Sequence, residues 1–292
     1  MQELPDVQAL APDTKFRLTR VGISGVRKLV RVRRPKQKAD FVLTTTFDVA
    51  VDLPPTMKGS HMSRNVESIS EILEKSTTDP VASLENLCLQ ISKDLLRRHE
   101  YATEAQVKAS ADYFLERKTP FGTMSTEWYT LLAESLARRK DGSRKLVGVK
   151  VTGTSACPCA METAKSLRND ASLGPGLTHN QRNIVTLLVE VPETETVEAD
   201  RLIDIVEGSQ SAPTVELLKR RNEGELVLQA HEHPKFVEDV VRGVLRGVLE
   251  SYPSLPDEAV IFARSVSEES IHKHDAYAER ETTFGELRKG RA

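Results

Sequence analysis

The sequence predicts an α+β protein built mainly on antiparallel sheet, and three observations carry that prediction. Long stretches alternate apolar and polar residues and are rich in Val, Ile, Leu and Thr, as half-buried strands are. Two helical segments follow the first pair of such strands, and the strongest helical pattern lies in the second half. The order strand, strand, helix, helix, strand, strand then comes round twice, as a likeness of pattern without a residue-level repeat.

Residues 14–33 and 40–53 (DFVLTTTFDVAVDL) read as a hairpin with the polar PKQKA as its loop. The basic alternation RKLVRVRR is a solvated strand face or the border of an anionic ligand. Ser63 or Asn65 caps a helix over VESISEILEKS. Asp79 and Pro80 begin a second, with Val81, Leu84, Leu87, Cys88, Ile91, Leu95 and Leu96 at helical spacing. Cys88 falls on that stripe and reads as core, and His99 as a surface or helix-end residue. Alternation resumes over 102–118 and 126–138, although WYTLLAESLARR has helical propensity as well. In the second half, strands are expected at 144–155 and 182–191, with a short helix and the loop around GPG between them. A helix near 197–207 precedes the segment 209–233, the helix FVEDVVRGVLRGVLESY follows Pro234, and AVIFARSVSE with a tail strand completes the set.

With 292 residues there is ample material for a buried core, in one large domain or two ordinary ones. Forty-one basic against 43 acidic residues leave a net charge of -2, which argues against a general nucleic-acid binder. No apolar run approaches the roughly 20 residues that cross a bilayer, and the amino terminus lacks the pattern of a secretory signal. Cys88, Cys157 and Cys159 make no disulfide framework, so a reduced, cytoplasmic protein without nucleic-acid or membrane partners is expected.

The candidate chemical groups lie at element junctions, where sites are usually built. Cys157 and Cys159 flank Pro158 at the end of an extended run, a spacing too tight for a zinc knuckle, with no second pair to complete one. His179 precedes a strand; His272 and His274 share a face if extended, and His231 and His233 form a competing pair. Glu223 follows a basic run, and Glu238 occupies the first turn of a strong helix, where a carboxylate suits the dipole in any case. Lys58, Gly59, Ser60, His61 and Arg64 lead into a helix and suit phosphate. Taken singly, each has a plain structural explanation. Mixed Cys, His and Glu ligation with an open position is the style of a catalytic metal centre.

Together, LPDVQ, VDLPPTMKGSHMSR, TGTSACPC, LTHNQR, ELLKRRNE, HPKFVEDVVR and ESIHKHDAYAE resemble the type IB GTP cyclohydrolases, in the family's order and over nearly the whole chain. The wording of RLTRVGISGVRKLV and LTHNQRN is closer to the archaeal, methanopterin branch than to the bacterial folate branch, and the loop between Cys157 and His179 is longer than in the latter. The resemblance implies a tunnelling fold with two β-β-α-α-β-β units, here 1–140 and 141–292, the second carrying most metal-site residues. It also implies a homo-oligomer, dimer or tetramer, with interfacial active sites. Cys157, His179, Glu223 and His272 are the implied metal ligands, and Cys157, His179 and His272 the implied catalytic groups. Cys159 and His274 are near neighbours, so the choice within each pair stays open. Glu238 matches the family's purine-anchoring glutamate, and His61, Arg64 and Arg182 are implied contacts to ribose or triphosphate. Fe(II) is the implied metal, with Mn(II) or Zn(II) as alternatives. The implied reaction opens the guanine ring of GTP and releases formate, giving a dihydroneopterin 2',3'-cyclic phosphate or, in the folate branch, the triphosphate. Two rivals are a nitrile reductase of the queuosine type, which uses its cysteine covalently, and a non-catalytic purine- or pterin-binding relative.

Overall fold

In the computed structural model, which describes residues 5–33, 40–78, 80–168, 176–192 and 195–290, the alternating segments are strands. The chain divides into two compact units, one of residues up to Asp112 with Leu132–Val147, the other of Tyr113–Leu131 with the residues from Gly148 on.

In the first unit, β1 (Leu18–Val32) and β2 (Phe41–Leu53) are antiparallel, from Leu18 opposite Leu53 to Val32 opposite Phe41. The loop PKQKA lies outside the described residues. A register shift falls between Ile23 and Val26, where Gly25 has φ +73° and its N–H donates to Asp48 Oδ1 at 2.7 Å; a side chain there would meet left-handed strain. Helices α1 (Met62–Thr78) and α2 (Leu84–Arg98) follow. Ile69 of α1 and Leu84, Leu87, Cys88, Ile91 and Leu95 of α2 are buried, as are Phe47, Val49 and Val51 of β2. Each such side chain contributes roughly 1.5–3 kcal/mol by leaving water. Cys88 is a core residue, as expected. Asp79 lies outside the described residues, and α2 starts at Leu84, because Ser83 Oγ accepts the Asn86 N–H and caps the helix there. His99 is the helix C-cap but is fully buried rather than on the surface. The chain then runs through β3 (Glu104–Lys118), β4 (Met124–Arg138) and β5 (Gly142–Ala156). In β4 the alternation of buried and exposed positions decides against the helical reading of WYTLLAESLARR.

In the second unit, α3 (Pro158–Arg168), β6 (Asn180–Val191), α4 (Ala199–Ser209), β7 (Ala212–Pro213), α5 (Arg220–Glu232), α6 (Val237–Ser251), β8 (Val260–Glu268), β9 (Ala276–Thr283) and α7 (Phe284–Lys289) follow in order. β8 lies antiparallel between β6 and β9, with Asn183 opposite Ser267 and Ser267 opposite Ala276. Val185, Leu187, Leu202, Val206, Val240, Val244 and Val248 are all fully buried. α4 and α6 approach so closely that a Cβ at Gly247 would stand 2.7 Å from Ile205 Cγ2.

The hydrogen-bonded strand order is β1-β2-β3-β4-β5-β6-β8-β9, with β7 paired to β5, in one nine-stranded sheet. The α+β class holds. The tunnelling fold of two β-β-α-α-β-β units does not: one strand path is continuous, and β7, α5 and α7 depart from the expected order, while α3 is the short helix expected between the strands. Those three are short or weakly amphipathic elements, which periodicity alone does not reveal.

Candidate functional site

β5 ends at Ala156 and Pro158 opens α3, a position where its missing N–H costs nothing. Cys157 is therefore held at a strand-to-helix junction. Its backbone N–H donates to His179 O at 3.2 Å, and Thr178 Oγ1 donates to Cys157 O at 2.7 Å. The half-buried thiol Sγ accepts the Ala160 N–H at 3.4 Å, while Cys159 is exposed. Backbone pairing thus puts Cys157 and His179 side by side at the mouths of β5 and β6. His179 Nδ1 lies 3.3 Å from Ser270 Oγ and 3.8 Å from Glu269 Oε2, with its side chain 12% exposed. A hydroxyl and a carboxylate at Nδ1 leave Nε2 to face other partners, an arrangement that also suits a metal-binding histidine.

Beside this junction is a cavity of about 190 Å³, lined by Cys157, Gln181, Lys235, Glu238, Glu269 and Tyr277 among others. Glu238 reaches it from the first turn of α6, where Asp239 Oδ2 accepts the Phe236 N–H at 3.2 Å and fixes the helix start. Lys235 is tied in twice, its backbone N–H donating to Ala156 O and its Nζ to Ser209 O, both at 3.0 Å. Burial, with Arg246 adding to it, pushes the Lys235 ammonium pKa down.

The other expected ligands are not gathered here. Glu223 is exposed in the first turn of α5. His272 and His274 are exposed before β9, their rings stacked with centroids 5.2 Å apart. Among the described residues, no three His, Cys, Asp or Glu side chains form a group that could hold a metal ion. The competing histidines stand at the end of α5, each already bonded: Asn180 Nδ2 of β6 donates to His231 Nε2 at 3.0 Å, and His233 Nδ1 donates to Gln229 O at 2.9 Å. Arg182 is exposed on β6.

His61 and Arg64 belong to the first unit. His61 Nε2 is 3.2 Å from both oxygens of Asp6 while its Nδ1 is buried without a partner, and Arg64 Nη1 donates to Arg98 O at 3.0 Å. Sequence reading passed over Gln181, Lys235, Glu269 and Tyr277. All four lie inside quoted motifs, and Gln181 stands two residues beyond His179, at the start of β6.

Comparison with solved structures completes the correction of the fold. The chain is similar to a hyper-thermostable uricase mutant (TM-score 0.54, 11% identity, 91% of this chain and 92% of that one) and to the uricase from Arthrobacter globiformis (TM-score 0.52, 11% identity, 91% and 93%). The architecture is thus uricase-like, and at that identity the likeness concerns the fold alone. By sequence, the family described as type I GTP cyclohydrolase folE2 matches residues 4–278. A GTP cyclohydrolase MptA of Methanosphaera stadtmanae is 40% identical, covering 99% of this chain and 98% of its own. A GTP cyclohydrolase MptA 1 of Methanocella arvoryzae is 43% identical, over 98% and 96%. With a match over nearly all its length, this chain belongs to the type I GTP cyclohydrolase family and is an enzyme of that family.

Proposed function

We propose that the enzyme opens the imidazole ring of GTP with loss of formate and forms 7,8-dihydroneopterin 2',3'-cyclic phosphate for methanopterin synthesis. The observation that carries this reading is the cavity in which Glu238 and Cys157 meet beside His179. A carboxylate accepts both N–H groups of guanine in a charge-assisted, bidentate pair, which orients the base as well as binding it. That fixes C8 of the purine relative to the Cys157–His179 junction.

The donor chemistry of the junction fits a divalent ion, Fe(II) first and Mn(II) or Zn(II) as alternatives. Cys157 and His179 would hold it, with Glu269 beside the imidazole. Glu223 and His272 would complete the set, and since no three such groups come together among the described residues of one chain, a second copy would supply the rest. When bound, the ion supplies Lewis-acid activation of the water that attacks C8. Glu238 holds the base still, and a nearby acid, a histidine outside the ligand set, returns a proton to the ring nitrogen as the C8–N bond breaks. His61, Arg64 and Arg182 are assigned to ribose and triphosphate. In this reading the enzyme is a cytoplasmic homo-oligomer, consistent with the lack, among the described residues, of any helix long and apolar enough to cross a membrane.

The test is anaerobic turnover of GTP by metal-free protein reconstituted separately with Fe(II), Mn(II) and Zn(II), with products identified by mass spectrometry. Formate with a cyclic phosphate, fastest with Fe(II), is expected. A dihydroneopterin triphosphate would move the enzyme to the folate branch, and no formate with any ion would end the cyclohydrolase reading. Bound metal in Cys157→Ser, measured by elemental analysis, should fall well below one ion per site.

A further inference from the structure

One hydrogen-bonding side chain in the purine cavity has no role in the reading above. Gln181 lies on β6 and lines the same cavity as Glu238. Its Oε1 is buried without a partner. A polar atom shut away from water with its bond unmade carries the full desolvation penalty, so the exception calls for an explanation. The next inward residue of β6, Asn183, is fully buried; its Oδ1 accepts from Ser265 Oγ at 2.7 Å and its Nδ2 has no partner. β6 therefore carries two successive amides on one face with hydrogen-bonding capacity unspent.

The edge of guanine presents two N–H donors next to the carbonyl acceptor O6. Glu238, as an ionised carboxylate, only accepts, so it can serve the donors and leaves O6 needing an N–H or O–H. One of the three N–H donors of Lys235 goes to Ser209 O, which holds the ammonium at that carbonyl. Ser155 and Ser267 face each other, their Oγ atoms 3.5 Å apart. Tyr277 is exposed, its ring under the Arg264 guanidinium at 4.6 Å. Among the side chains lining this cavity, Gln181 alone has a buried polar atom without a partner, and a half-turn of its terminal amide offers either N–H or C=O to the cavity.

We propose that Gln181 is a specificity-determining residue whose amide donates to O6 of the bound guanine, completing the set of contacts that Glu238 begins. This rests on the reading of Glu238 as the guanine anchor. The test compares wild type, Gln181→Ala and the near-isosteric Gln181→Glu on the metal-reconstituted enzyme. Formate release gives KM for GTP and for ITP, which keeps O6 but lacks the 2-amino group. Inhibition gives Ki for 6-thio-GTP, in which a weakly accepting sulfur replaces O6. Both variants should raise KM for GTP and for ITP about tenfold with kcat changed less than twofold, and leave Ki for 6-thio-GTP within twofold of wild type. Equal weakening of GTP and 6-thio-GTP, or none of either, overturns the proposal, and melting temperatures identify a variant that is merely misfolded. If wild-type enzyme does not discriminate GTP from ITP, the fault lies with Glu238 as anchor instead.

Discussion

His99 sits at the end of α2 with its Nε2 2.9 Å from Asn65 Oδ1 and its Nδ1 2.9 Å from the Tyr101 hydroxyl. Burial, with Arg64, His61 and Arg98 adding to it, pushes its pKa down from 6.5 to about 4. The unfolded chain therefore takes up a proton that the folded chain refuses between those two values. Stability falls as the pH drops from 6.5 toward 4, by about 3 kcal/mol in all from this group, and is fully present above 6.5. Urea midpoints for wild type and His99→Gln at pH 7 and 4.5 should show a steeper acid loss in wild type; parallel losses would show that other groups set the acid limit. At Glu238, replacement by Gln exchanges an acceptor for one N–H donor facing two donors of the base. GTP turnover should fall by about a hundredfold with melting temperature unchanged, because the side chain is exposed before the base binds. At this scale the sequence named Cys157, His179 and Glu238 through motif wording. Gln181 and Glu269 stayed hidden, since an ordinary polar residue in a strand announces nothing until a cavity forms around it.

Among the elements, β5 depends on a missing side chain. A Cβ at Gly153 would stand 1.7 Å from Gln210 Oε1 and 2.3 Å from its Cδ, and Gln210 is only 3% exposed, so it has little room to move. Gly153→Ala should lower stability by about 1–3 kcal/mol, and Gln210→Ala in the same chain should recover part of that loss. Additive losses in the double mutant would show that the two residues do not collide. α6 was legible because Val237, Val240, Val241, Val244, Leu245 and Val248 mark one buried stripe. α5 was not, since only Ala230 among its residues is buried, and a helix without a buried stripe leaves no period to read. β4 was read as a strand against its helical propensity because alternation reports the face that packs, and packing decides.

For the whole molecule, strand alternation and helix stripes disclosed the α+β class but not how strands join, because pairing partners are set by contacts far apart in sequence. The tunnelling-fold expectation failed on that point. Ligand assembly poses the same question between chains. If Cys157 of one copy and His272 of another share a site, Cys157→Ala and His272→Ala proteins, each inactive, should regain up to about a quarter of wild-type turnover when unfolded and refolded together, as random pairing of two protomers requires. No recovery, with mixed oligomers confirmed by native mass spectrometry, would place both ligands in one chain. The strand path also bears on how the chain is made. β1–β2 and β8–β9 are pairings between neighbours in sequence, whereas the edge of β6 away from β5 must wait for β8, which follows only after α4, α5 and α6. Long-range pairing of that kind meets its entropic cost before its reward. During synthesis the first hairpin can close early, while the strand that carries Gln181 stays an open edge until nearly the last residues have left the ribosome. That interval is when the nascent enzyme is most exposed to wrong pairing with its own kind.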